Sequence, residues 1–176
     1  MKLARAALVA VAMTCLPVPA SPALAQAGIS TNPPPVEIRD YVSAVHALSR
    51  YEVDASRLAL TQSRAQASRS FAQQMVEHHT RIIAEHARLL NIPAATDSGS
   101  ALVGPLSEML NSLENTPAAE FHAAYRQGQI AAHEEALKVH SAYASRGSDA
   151  GVQAKAQAAL PVIRKHLEAA RKLPGA

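Results

Sequence analysis

Four stretches of this chain repeat their apolar side chains about every 3.6 residues over many turns, a period that restricts it to a helical fold. The repeat predicts helices over 37–63, 68–91, 117–146 and 151–173. Ala, Leu, Val and Ile are plentiful, Trp is absent and aromatics make up 3%, which favours helices packed through small and aliphatic side chains. Ser68 reads as the N-cap of the second helix, and Asn91-Ile92-Pro93 as its stop. Thr116-Pro117 reads as a cap followed by Pro at the first helical position, and Arg146-Gly147-Ser148-Asp149 as a C-cap and turn. Pro161 is expected to kink the fourth helix or to mark where its regular part begins. Within the long 92–116 connection, LVGPLSEMLNSLEN predicts one short helix. Four amphipathic helices with two short turns and one long middle connection describe an all-α four-helix bundle.

The first residues carry a different signal. Lys2 and Arg5 precede an apolar run from Ala6 to Leu16, and Ala23-Leu24-Ala25 supplies the small-residue cleavage pattern of a secretory signal peptide. The run is too short to span a bilayer, and six prolines between Pro17 and Pro35 break any continuous helix. The expected layout is a signal peptide over 1–25, a disordered Pro-rich leader over 26–36 and a bundle domain over 37–176, with the mature chain periplasmic or secreted. Cleavage removes Cys15, the only cysteine, and with it all disulfide and thiolate chemistry. It also removes two of the three net positive charges. No basic cluster interleaved with aromatics remains, which argues against a nucleic-acid partner, and the mature chain carries no transmembrane pattern.

On a wheel of about 100° per residue, the three histidines of MVEHHTRIIAEH separate. His79 falls mid-stripe among Met75, Val76, Ile82 and Ile83; His86 shares the stripe two turns on; His78 falls at its border. In the first helix Glu52 sits at the centre of a stripe of Ile38, Tyr41, Val45, Leu48, Ala55 and Ala59, with Arg50, Asp54 and Arg57 opposite. In the fourth, His166 lies among Ala159, Val162, Ile163 and Ala170. The third is less regular, with His133 and His140 inside an arc that holds Phe121, Tyr125, Gln129 and Tyr143. Each helix thus offers one inward metal-competent side chain: Glu52, His79, His133 and His166. All four lie near the middles of their helices, so a common level is expected.

A buried carboxylate has to be paired. One reading is a divalent transition metal (Zn, Cu, Ni or Fe) held by Glu52, His79, His133 and His166. The other is a structural network in which Glu52 accepts hydrogen bonds from histidines, within a non-catalytic envelope bundle. Di-iron chemistry is disfavoured, because the chain contains no Glu-x-x-His. A phosphate loop, a catalytic cysteine and a serine elbow are all missing. His122 and His140 read as half-exposed helix residues, and Tyr125 and Tyr143 as core-edge packing.

Three ordered motifs carry a resemblance: F-A-x-x-M-V-x-x-H from Phe71 to His79, Y-x-x-x-Q-I-x-x-H from Tyr125 to His133, and L-P-x-x-x-x-H-L from Leu160 to Leu167. With E-V-D-A-S-R-L around Glu52, they resemble domain-of-unknown-function family 4142 over Tyr41 to Leu173. The resemblance implies a bacterial, exported protein of ferritin-like fold, with scope for a metal in the core and no established reaction. The family usually has Asp before the second-helix His, where this chain has His78. The resemblance also favours a crossing middle connection, which would make the second and third helices parallel and put His86 and His140 at one level.

Overall fold

The computed structural model describes residues 33–90 and 102–175. The expected signal peptide, most of the leader and the Asn91-Ile92-Pro93 stop lie outside the described residues. The described chain is all-α: α1 (Ile38–Gln62), α2 (Gln66–Leu90), α3 (Pro105–Glu114), α4 (Phe121–Arg146) and α5 (Ala150–Arg171). Among the described residues there is no strand, only an isolated bridge of Val36 with Gly147. That bridge pins the end of the expected leader to the α4–α5 turn, through Val36 N–H to the Arg146 carbonyl at 2.9 Å and Ser148 N–H to the Val36 carbonyl at 3.0 Å.

Several helix ends differ from the sequence reading, each for a local reason. Ser63, not Ser68, shapes the α1–α2 turn: its hydroxyl accepts the Ala65 N–H at 3.2 Å, while Ser68 is buried inside the first turns of α2. Thr116 closes α3 by donating its hydroxyl to the Ser112 carbonyl at 2.7 Å, so α4 begins later, at Phe121. The short helix starts where Gly104 takes φ 62°, a left-handed conformation that glycine adopts freely, followed by Pro105. Asp149 caps α5 by accepting the Val152 N–H at 2.8 Å. Helix α5 runs through Pro161, which sits on its exposed side.

Pairs of touching residues fix the helix directions. Tyr41 meets His140 and Ser56 meets Tyr125, so α1 and α4 are antiparallel. His79 faces His133, and seven residues on His86 lies within electrostatic reach of His140, so α2 and α4 are parallel. Lys155 approaches Glu85 while His166 approaches His78, so α2 and α5 are antiparallel. The end of α2 and the start of α4 therefore lie toward opposite ends of the helices, and α3 lies on α1 and α4. The tight pairings are α1 with α2 and α4 with α5, joined through α1 and α4.

Two apolar clusters lie at opposite ends of these helices. One gathers Tyr51, Phe71, Met75, Leu113, Phe121 and Tyr125; the other gathers Tyr41, Val42, Val45, Tyr143 and Ala156. Tyr125 and Tyr143 are thus fully buried, not core-edge. Helix α1 is covered by α2, α3 and α4, which buries residues outside its stripe. Arg50, expected on the solvent face, is 5% exposed, with its guanidinium 3.8 Å from the Asp54 carboxylate. Ile38 and Val162, expected inside, are exposed.

Gly147 ends α4 with ordinary extended angles, φ −64° and ψ 153°, so its role is space and not a left-handed turn. A Cβ there would stand 2.4 Å from the Tyr143 ring, which is itself stacked on Tyr41 at 4.2 Å. Gly147→Ala is expected to cost about 1–3 kcal/mol through overpacking. Denaturant unfolding of the variant measures this; unchanged stability would show that the ring has room to move.

Candidate metal centre

Between the two apolar clusters the four long helices enclose a cavity of about 120 Å³. Its floor is supplied by α1 and α4 through Ser49, Glu52, Ala132 and His133, all buried. Its rim is supplied by α2 and α5, where His78, His79, Ile82 and Ala159 are half-buried and Val162 is 41% exposed. The cavity therefore opens between α2 and α5. A small-residue lining from Ala132, Ala136 and Ala159 keeps the facing helices from filling it.

All four sequence-predicted residues line this cavity. They do not form one tight group. Ligand atoms of Glu52, His79 and His133 lie within 4.8 Å of one another, and so do those of His78, His79 and His166. The His133 ring remains close to His166, 5.5 Å between centroids. His78, expected at the periphery, belongs to the cluster: its ring centroid is 5.0 Å from that of His166 and 5.4 Å from that of His79. The wheel placed His78 at a stripe border; the wide spacing of α2 and α5 lets a border residue turn into the gap.

The partners of each ring separate ligand-like histidines from structural ones. His133 Nδ1 donates to the Gln129 carbonyl at 2.8 Å, one turn earlier, and lies 3.3 Å from Glu52 Oε1. His79 Nδ1 is 3.1 Å from the Ser49 hydroxyl. Both Nε2 atoms are buried without a hydrogen-bond partner, while the Glu52 carboxyl has the Gln129 side-chain amide beside it. A ring tethered through one nitrogen, with the other bare beside a carboxylate, has the arrangement of a metal-ligating histidine. His140 is different. It is 8% exposed, its Nδ1 is 3.0 Å from the Tyr41 hydroxyl, and the Ala156 carbonyl also bonds its ring. It is a satisfied core histidine, not the half-exposed one expected. His122 lies 3.4 Å from the Ser63 hydroxyl, away from the cavity.

Ser49 escaped the sequence reading, and Gln129 was placed on the α4 arc without a role at the site. The available signal was their spacing, Ser49 three residues before Glu52 and Gln129 four before His133, which stacks each on the same helix face as a candidate ligand.

Burial governs protonation here. Desolvation raises the Glu52 carboxyl well above 4.5, with the Gln129 amide beside it acting the other way. Desolvation and the neighbouring imidazoles lower His79 well below 6.5. His133 and His166 are lowered to about 4, again first by burial. Burial thus favours proton-free imidazoles and holds the proton on the Glu52 carboxyl to higher pH than usual.

The chain matches the model of DUF4142, a domain of unknown function, over residues 20–173. The chain belongs to the DUF4142 family. No curated protein and no solved structure matches it. In this DUF4142 chain the matched region spans every cavity-lining residue, while the family's description supplies no reaction.

The depressed histidines make a prediction for the metal-free protein. Between pH 6.5 and about 4 the unfolded chain binds protons that folded His133, His140 and His166 refuse, so stability falls as pH falls through that window. Glu52 works in the opposite sense, since its raised pKa makes ionisation at higher pH destabilising, but it is one group against several. Calorimetry in a chelator is expected to show Tm declining from pH 6.5 to 4, at about 1.4 kcal/mol per pH unit for each net proton taken up on unfolding. A flat profile would contradict the neutral, buried histidines.

Proposed function

We propose that this protein is an exported, ferritin-like four-helix bundle that binds a divalent transition metal through Glu52, His79 and His133, with His166 facing them. The observation that carries this reading is the buried Glu52 carboxyl with ligand atoms of His79 and His133 within 4.8 Å of it and of one another, each ring also keeping a bare, buried Nε2. A divalent ion would satisfy all of these atoms at once, with Ser49 and the Gln129 carbonyl holding the rings in register. The parallel run of α2 and α4 supports the ferritin-like arrangement. One carboxylate among several imidazoles suits Zn, Cu or Ni better than an oxygen-rich di-iron pair, so metal holding is preferred to ferroxidase chemistry. Export rests on the sequence of the first 25 residues, and the mature chain is expected to begin at Gln26.

The competing reading is a structural network. It is favoured by the 3.3 Å approach of His133 Nδ1 to Glu52, and disfavoured because that nitrogen already donates to Gln129. Elemental analysis and thermal shift with Zn, Cu, Ni and Fe(II) separate the two. Wild-type protein is expected to bind one ion per chain and gain Tm, and His79→Ala to lose both the ion and the gain. Glu52→Gln is expected to weaken binding and to stabilise the metal-free fold, because it removes the cost of burying a carboxyl. No bound metal and no shift with any of the four ions would leave the network reading standing.

A further inference from the structure

The cavity contains two ligand triads that share a residue. Glu52, His79 and His133 form one; His78, His79 and His166 form the other. The first is the deep one, with Glu52 and His133 each 2% exposed. The second lies nearer the opening between α2 and α5, where His78 and His79 are half-buried. His79 has only one free nitrogen, because Nδ1 is engaged by Ser49. One imidazole nitrogen binds one ion, so the two triads cannot be filled together.

We infer that the cavity offers one divalent transition-metal ion two alternative positions, an outer one on His78, His79 and His166 and an inner one on Glu52, His79 and His133, with His79 carrying the ion between them. This rests on the metal-binding reading above and adds a route to it. The outer triad is met first by an ion arriving through the α2/α5 gap, and it consists of neutral ligands. The inner triad adds the carboxylate, so a dication gains a charge partner by moving inward. His79 holds on throughout, so the ion never has to leave all its protein ligands at once.

The test is a titration of metal-free full-length mature protein with Co(II), read by its visible absorption, together with the uptake rate by stopped flow. Glu52→Gln is expected to keep one Co(II) on the outer triad, bound more weakly and with a changed spectrum. Adding His78→Gln to it is expected to lower the remaining affinity by about tenfold or more. His78→Gln alone is expected to reach the wild-type spectrum but to load at least about tenfold more slowly. His166→Gln in the Glu52→Gln background repeats the affinity test from α5, and melting of each metal-free variant checks that it folds. The proposal is overturned if His78→Gln loads at the wild-type rate, or if neither His78 nor His166 matters once Glu52 is replaced. Wild-type protein that binds no Co(II) would instead remove the metal reading itself, a result distinct from either of these.

Discussion

A carboxyl group buried at the middle of α1 is the constraint around which the rest of the structure is arranged. Glu52 is withdrawn from water, and that desolvation is the largest cause of its raised pKa. A group so placed is tolerated because it stays protonated or because something positive comes to it. Within reach of it are His133, His79 and the Gln129 amide, together with the phenols of Tyr51 and Tyr125. The same desolvation that raises the carboxyl lowers the imidazoles. In the metal-free centre burial therefore favours the uncharged form of each of these groups. Charge enters it only with a proton leaving or a cation arriving.

The two apolar clusters make that arrangement rigid. Tyr51, Phe71 and Tyr125 close one end and Tyr41 and Tyr143 the other, so the polar layer has a fixed thickness along the helices. The tyrosines also consume stray hydrogen-bonding capacity at its borders, Tyr125 with Ser56 and Tyr41 with His140. The Nε2 atoms of His79 and His133 stay bare in the middle, where alanines and other apolar side chains make up much of the cavity lining.

Much of this was legible in the sequence, for a physical reason. A 3.6-residue period in long Gly-poor segments allows little besides packed helices, and polar residues at stripe centres of four helices have to meet if those helices meet. Glu52, His79, His133 and His166 all reach one cavity for that reason. What stayed hidden depends on unequal spacing between helices. A wheel treats each helix as facing one uniform core, whereas α1 is wrapped on three sides, burying Arg50, and α2 and α5 stand apart, admitting His78. Helix α4 looked irregular because it serves two layers: Gly128 and Ala124 lie toward α3 and Tyr51, while Ala132 and His133 face the cavity. The cap residues misled for a simpler reason. Ser and Thr serve helix exits as readily as starts, and Thr116 closes α3 by bonding backward.

The unequal spacing gives the molecule the mechanics of a book. The α1–α2 and α4–α5 hairpins are its two boards, and the contact of α1 with α4 is the spine, reinforced by α3 lying across it. The fore-edge is the line between α2 and α5, crossed among the described residues by the rings of His78 and His166 and by the distant Lys155–Glu85 pair at 3.9 Å. Any parting of the boards would widen the fore-edge first, because the tyrosine contacts lie along the spine. Water reaching the interior by that motion meets imidazole before it meets the carboxyl.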